Sequence, residues 1–377
     1  SIMMVRLWCV ALLVLVGGAS WAQAETFPFE RVLRLEPSAE NPRNSEGDFI
    51  ALKDGRILFI YTHFTSGASD YATGHLSSRE SSDGGKTWTQ QDKVVVKNKG
   101  GLNTMSVSLL RLASGEIALF YLRKNSHADC RPYVSISTDE AKTWSEPTLI
   151  IPRLGYYVGN NDRVVQLRSG RLLFPIAVHS QDGDDFTGVA KATCWVSDDH
   201  GKSWYRAKSL IQMDVATGTG LQEPGVVELS EDNHLLMFAR TDQKVQYFSH
   251  STDGGMTWSP PEPSTLKSPV SPATIEALPG TNTLVCVWNN HEGIAPELAR
   301  KRTPLSMGIS TDDGKTWTAL GNFELDPEGW YCYTAMDVIG DKMLLGYCEG
   351  NSTIGGLNRT SITRIDLKDI TSKIPKP

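Results

Sequence analysis

The chain has 377 residues, with 37 Lys and Arg set against 43 Asp and Glu for a net charge of −6. That length admits one large core or two domains. The mild acidity, with no basic run, argues against nucleic acid as the main partner. The first element in chain order is an export signal. Arg6 supplies a positive start, residues 7–16 form an apolar stretch too short to span a bilayer, and Ala22-Gln23-Ala24 is a small-x-small cleavage site. The expectation is a signal peptide over 1–24, a mature chain over 25–377, no lipidation, no membrane span, and a secreted or periplasmic location. Cys9 lies in the signal. The other five cysteines, Cys130, Cys194, Cys286, Cys332 and Cys348, are scattered without metal-ligand spacing. Buried free thiols are the default, and a disulfide among them stays open.

A short strand pattern, 31–35, comes next. Then apolar runs broken by Gly, Asp or Ser turns recur as six hairpins, at 48–61, 108–121, 164–175, 226–238, 274–288 and 335–347. Each of the first five is followed by one short motif. The copies are Ser81-Ser-Asp83-Gly-Gly85-Lys-Thr87-Trp88, Ser137-Thr-Asp139-Glu-Ala141-Lys-Thr143-Trp144, Ser197-Asp-Asp199-His-Gly201-Lys-Ser203-Trp204, Ser251-Thr-Asp253-Gly-Gly255-Met-Thr257-Trp258 and Ser310-Thr-Asp312-Asp-Gly314-Lys-Thr316-Trp317. Their first serines are 56, 60, 54 and 59 residues apart, a period that means one supersecondary unit per repeat. Asp-x-Gly is turn chemistry, and Trp is an apolar plug between units. One or two carboxylates per motif are too few for a calcium cage, so neither a metal nor a cofactor is expected. Two hairpins make a four-stranded sheet, and six such sheets make an all-β, six-bladed β-propeller. The sixth hairpin lacks the motif, so its sheet is expected to be completed by 361–367 and by the N-terminal strand 31–35.

The starts of the innermost strands are unusually polar: Glu46, the Asn103 region, Asn161-Asp162-Arg163, Glu223 and Tyr333. So are the ends of the second strands: His63, Lys124, His179, Arg240, Asn289 and Glu349. A ring of this kind predicts a pocket for a hydroxyl-rich ligand, neutral or anionic. Five Asp-box motifs on six hairpins resemble the sialidase (neuraminidase) superfamily, over roughly residues 27–370. The resemblance implies an exo-glycosidase that releases terminal sialic acid, or a related acidic sugar, from a glycan substrate with net retention. It implies a Tyr nucleophile paired with a Glu, an Asp acid/base, and arginines that clamp the substrate carboxylate. Carried over by position, the nucleophile is Tyr333, with Tyr331 as its neighbouring alternative. Its partner is Glu223, at the head of the fourth repeat, and the acid/base is Asp70, in the loop after the first hairpin. Arg240, closing the Phe238-Ala-Arg240 strand end, and Arg302, before the fifth box, match two clamp arginines. Arg163, His63 and His179 complete the expected substrate-binding ring.

One place departs from the family pattern. Its first clamp arginine opens the first repeat, where this chain reads Asn41-Pro-Arg43-Asn-Ser-Glu46-Gly-Asp48. Counting back from the Asp54-Gly55 turn puts Glu46, not Arg43, at the equivalent position, and His63 stands where the family often has Arg. Two other readings therefore stay open: a glycosidase of this fold for a different sugar, and a glycan-binding propeller without turnover. Oligomeric state is not legible.

Overall fold

The computed structural model describes residues 26–376. Antiparallel strands run in six groups of four in chain order. The first sheet is Arg43–Ala51, Ile57–Phe64, Gly74–Ser81 and Lys93–Val96, and the second is Asn103–Arg111, Ile117–Ser126, Asp129–Ser137 and Thr148–Leu149. The fourth is Gln222–Glu228, Leu235–Arg240, Val245–Ser251 and Glu262–Lys267, and the fifth is Thr274–Ala277, Leu284–Trp288, Leu305–Ser310 and Thr318–Glu324. In the third sheet the first strand is interrupted. Gly155–Val158 and Val165–Gln166 both pair with Leu172–Gln181, which continues to Lys191–Ser197 and Tyr205–Arg206. The sixth sheet is Gly329–Ile339, Lys342–Asn351, Thr360–Asp366 and, from the other end of the chain, Glu30–Leu35. Single parallel bridges, Gly74 to Asn103 and Tyr156 to Cys130, link the first three sheets through hydrogen bonds.

Second strands such as Ile57–Phe64 and Leu284–Trp288 are buried almost throughout. They read as continuous apolar runs because both faces of each sheet are covered. The covering groups are the neighbouring sheets, and their contacts run in a closed circuit. Ile60 packs with Leu119, Phe120 with Phe174, Leu173 with Met237, and Phe238 with Cys286 in successive clusters. Val287 then packs with Leu345, and Leu344 returns to Phe59 of the first sheet.

The five motif hairpins share one hydrogen-bond pattern. In the first, Asp83 Oδ1 accepts the Thr87 N–H at 2.8 Å, Oδ2 accepts the Thr87 hydroxyl at 2.6 Å, and the Ser81 hydroxyl donates to Asp83 and accepts the Gly85 N–H. Asp139, Asp199, Asp253 and Asp312 repeat it. Each Trp packs into the cluster shared with the preceding sheet, Trp88 buried and Trp144, Trp204, Trp258 and Trp317 half-buried.

First strands break register at one recurrent place. The shifts fall between Ser45 and Asp48, Met105 and Ser108, Gln222 and Gly225, and Cys332 and Ala335. At each shift one residue has positive φ: Glu46 (44°), Ser106 (65°), Glu223 (47°) and Tyr333 (56°). These are β-bulges, which bend the strand and re-aim a side chain. Close behind two of them, directly after Glu46 and two residues after Glu223, the chain must carry glycine. A Cβ on Gly47 would lie 2.3 Å from the Phe59 ring, and one on Gly225 2.3 Å from Phe238. All five cysteines beyond Cys9 are buried free thiols. No helix among the described residues is long and apolar enough to cross a membrane. The expected signal peptide lies outside the described residues.

Candidate active site

The four bulge residues converge. Glu46, Ser106, Glu223 and Tyr333 all line one cavity of ≈ 360 Å³, and Asp70, Arg240 and Arg302 reach it from neighbouring strands and loops. Their backbones are tied across the sheets. Asn161 Nδ2, in the interrupted strand, donates to the carbonyls of Gly47 (2.8 Å) and Tyr333 (2.9 Å), and Thr274 Oγ1 donates to the Thr334 carbonyl at 2.6 Å. The bulges therefore hold the side chains of the first, fourth and sixth sheets on rigid elements.

Tyr333 Oη donates to Glu223 Oε1 at 2.8 Å. The same oxygen accepts Arg240 Nη1 at 2.9 Å, while Glu223 Oε2 is buried without a partner. Burial, then the Glu223 charge, pushes the Tyr333 phenol well above its ordinary pKa, so it is neutral. Arg302 is 8% exposed, and its guanidinium lies 5.3 Å from the Trp330 ring and 5.7 Å from the Tyr333 ring. Its Nε has no hydrogen-bond partner, and no carboxylate among the described residues lies within 4.0 Å of it. A buried cation in a cavity wall, with Glu223 acting on it only at a distance and no carboxylate bonded to it, is a site for an anionic ligand group.

Asp70 stands on the loop between Phe64 and Gly74. Its Oδ1 accepts Arg43 Nη1 at 2.7 Å, and its carbonyl accepts Asn103 Nδ2 at 2.8 Å and Lys124 Nζ at 2.9 Å. Burial works to raise the Asp70 carboxyl, but Arg43, with Lys124 and Arg240 behind it, holds it below the usual range. Arg43 also donates through Nη2 to Glu46 at 2.7 Å. Glu46 is only 4% exposed, accepts the Ser45 hydroxyl as well, and is pushed up to about 7 by burial, with Arg43 opposing. Lys124 lies over the Tyr71 and Tyr156 rings and has no carboxylate within 4.0 Å.

Residues 75–344 match the model of the BNR repeat-like domain. The chain belongs to that family, within the sialidase superfamily. It is 26% identical over 322 residues to a sialidase of Micromonospora viridifaciens (75% of this chain, 46% of that protein). A sialidase of Bacteroides fragilis (strain YCH46) is 27% identical over 250 residues, covering 62% of this chain and 41% of that protein. The chain thus spans less than half the length of these two relatives. Among solved structures, a Dyadobacter fermentans protein of unknown function superposes with a TM-score of 0.68 at 18% identity, covering 89% of this chain and 99% of that one. The leech intramolecular trans-sialidase gives 0.70 at 14% identity, covering 93% and 72%. The all-β fold is therefore sialidase-like.

Within this sialidase-superfamily chain, Tyr333, Glu223, Asp70, Arg240, Arg302, Glu46 and His179 all border one cavity. Arg43 stands behind Asp70 and Glu46 at 1% exposure. Both candidates at the departure from the family pattern, Arg43 and Glu46, are thus present together as a pair. His179 donates from Nδ1 to the Thr187 carbonyl (2.8 Å) and stacks on Phe186. Two residues of the expected ring lie elsewhere. His63 does not border the cavity. It turns outward along its strand, pairs with Asp92 at 2.7 Å and stacks on His75. Arg163 is buried behind the wall, where Nη2 donates to the Ala273 carbonyl (2.7 Å) and the Glu223 carbonyl (3.3 Å), and it borders a second cavity instead. It braces the Glu223 bulge rather than facing a ligand. Tyr331, the alternative nucleophile, is 3% exposed in the core between the fifth and sixth sheets. Ser106, Trp330, Tyr71 and Tyr156 border the cavity unforeseen. The bulge rule finds Ser106, since Met-Ser-Val-Ser occupies the same offset as Ser-Glu-Gly-Asp. The aromatics stand on loops and neighbouring sheets, and no local pattern marks them.

Proposed function

We propose that this chain is a glycoside hydrolase of sialidase type, acting on terminal sialic acid or a related acidic sugar of a glycan. The observation that carries the reading is the 2.8 Å hydrogen bond from Tyr333 to Glu223, in a cavity also lined by Arg302, which no carboxylate among the described residues holds. A carboxylate nucleophile meets like-charge repulsion at an anomeric carbon bearing a carboxylate, and a neutral phenol avoids it. Tyr333 Oη attacks that carbon as Glu223 takes its proton. Asp70, in its acid form, gives a proton to the leaving oxygen. Its carboxylate then takes a proton from the water that displaces Tyr333 from the anomeric carbon, breaking the aryl glycosidic bond, and Glu223 returns its proton to the phenolate. This is the Tyr-nucleophile exception among two-carboxylate glycosidases. Arg240 and Arg302 hold the substrate anion by charge-assisted bonds. The closed circuit of sheet contacts supports one six-bladed propeller over residues 25–377 as the scaffold, following a cleaved signal peptide.

One observation favours a second reading. Glu46 stands in the cavity wall where a third free arginine would hold an anion, and Arg43 is already paired to two carboxylates. A glycosidase of this fold for a less acidic sugar fits that arrangement. The test is turnover of aryl α-sialosides beside a panel of other aryl glycosides. Sialoside hydrolysis is expected, with Tyr333→Phe lowering kcat by at least about 10³-fold, the scale of losing the acting nucleophile. Turnover of another aryl glycoside alone selects the second reading, and glycan binding with no turnover of any substrate selects a binding propeller.

A further inference from the structure

The Arg43 guanidinium is fully occupied. Nε donates to Ser45 Oγ at 2.9 Å, Nη2 to Glu46 at 2.7 Å, and Nη1 to Asp70 at 2.7 Å and to the Ala68 carbonyl at 3.1 Å. Its face covers the Phe64 ring at 4.4 Å. One cation behind the cavity wall thus serves two carboxylates, while Arg302 and Lys124, which line the cavity, serve none among the described residues. An incoming anion gains nothing at Arg43 unless one carboxylate leaves. The two are not equally free to leave. The Glu46 side chain is 4% exposed, sits on a bulge inside its strand and is held by Ser45 as well. The Asp70 side chain is 57% exposed and sits on a loop. The Asp70 backbone is pinned to the second sheet through Asn103 and Lys124. The side chain can therefore rotate while the loop stays in place.

We propose that an anionic substrate binds by exchange at Arg43: its carboxylate takes the guanidinium edge from Asp70, and Asp70 turns into the cavity. This rests on the acidic-sugar reading above and adds how the site tells acidic from neutral sugars. On Arg43 the Asp70 carboxylate is stabilised in its charged form, which is the wrong form for protonating a leaving oxygen. Released from Arg43, and beside a second negative charge, it takes up a proton more readily. A neutral sugar leaves Asp70 on Arg43 and so meets a site without its acid. Discrimination then appears in kcat as well as in binding.

The test compares the full-length mature protein with its Asp70→Ala variant by calorimetric titration, using N-acetylneuraminic acid and its C1 methyl ester as probes. Exchange predicts that the variant binds the acid at least tenfold more tightly than wild type, because Arg43 no longer has to be vacated, and binds the ester with unchanged affinity. A crystal structure of wild type with the acid is expected to show the ligand carboxylate on Arg43 and Asp70 out of hydrogen-bond reach of it. Equal affinities for the acid, equal gains for acid and ester, no binding of the acid to either protein, or a complex with Asp70 still on Arg43 each overturns the exchange. If wild type hydrolyses aryl α-sialosides while any of these holds, the exchange alone fails. If wild type is inert on sialosides yet the variant gains affinity for the acid and not for the ester, the proposed reaction fails and the exchange stands.

Discussion

At Glu46 a single carboxyl decides how much negative charge the cavity carries near neutral pH. Burial raises its pKa to about 7, against 4.5 for a free Glu. A carboxyl whose folded-state pKa is raised favours folding at low pH. Its contribution is complete below the unfolded value and is lost as pH rises through the folded one. The window for Glu46 is therefore about pH 4.5 to 7. Glu46→Gln, which is neutral at every pH, removes that slope. Between pH 5 and pH 8 wild type is expected to lose on the order of 2–3 kcal/mol more stability than the variant. Urea unfolding of both proteins at the two pH values measures this. Asp337, also raised to about 7 by burial, slopes the same way in both proteins, so the difference isolates Glu46. An equal pH slope in the two proteins would show that Arg43 keeps Glu46 ionised throughout. The same residue also tempers the second functional reading, since a carboxyl half-protonated near pH 7 repels a substrate anion less than a full charge does.

At the scale of the hairpin, the five Asp-boxes are one design with one flawed copy. The first, fourth and fifth place Gly85, Gly255 and Gly314 at positive φ, and the third places Gly201 there. The second uses Ala141 at φ 65°, behind Glu140 at φ 58°. A left-handed backbone costs a residue with a Cβ about 1–2 kcal/mol, partly offset by the greater freedom glycine loses on folding. The Ala141 methyl also packs lightly on the cluster shared with the first sheet. Ala141→Gly is therefore expected to stabilise the protein by about 0.5–1 kcal/mol. A raised urea midpoint at unchanged slope would register it, and a lowered midpoint would mean that the methyl contact outweighs the strain. Glu140 explains why this copy persists. Its carboxylate accepts Arg111 at 2.7 Å and the Lys53 N–H at 2.8 Å, joining the box to the first sheet.

Across the whole molecule, the chain ends are joined in one sheet. The strand Glu30–Leu35 pairs with Thr360–Asp366, and its Arg31 donates to Glu324 of the fifth sheet at 2.6 Å and to Ser361. Arg34 donates through both Nε and Nη2 to Glu349. Removing residues 26–36 exposes the Thr360–Asp366 edge and leaves the buried Glu324 carboxylate with Tyr347 alone. Stripping one partner from a buried ion pair costs about 3–5 kcal/mol, a large part of the 5–15 kcal/mol that usually holds a domain. The truncated protein is expected to melt in a single transition at a midpoint at least about 10 °C lower, the scale of losing several kcal/mol. A separate early transition for part of the chain would show instead that the sheets unfold independently and that the circuit is not one cooperative unit.

Sequence alone determined the repeating parts of this protein. The Asp-box hairpins, the buried second strands and the return of the N-terminal strand to the last sheet each follow from local chemistry: turn residues, apolar runs and a repeat lacking its motif. The residues at the strand starts, Glu46, Glu223 and Tyr333, were legible too, because a polar residue interrupting an apolar strand at a fixed offset from a turn is itself a local signal. Tertiary structure decided what those residues face and with whom they share charge. His63 and His179 close equivalent strands, yet one turns to Asp92 and the other borders the cavity. Arg163 adjoins a run of pocket-like polar residues and instead braces the Glu223 backbone from behind. Whether Arg43 or Glu46 holds the first repeat's place was no choice, since a bulge brings both to one spot and Asp70 joins them from a loop 24 residues beyond Glu46. Strand and turn preferences act over a few residues, so the sequence shows them directly. Ion pairing and burial depend on residues brought together from distant sheets, and only closing the circuit of sheets sets them.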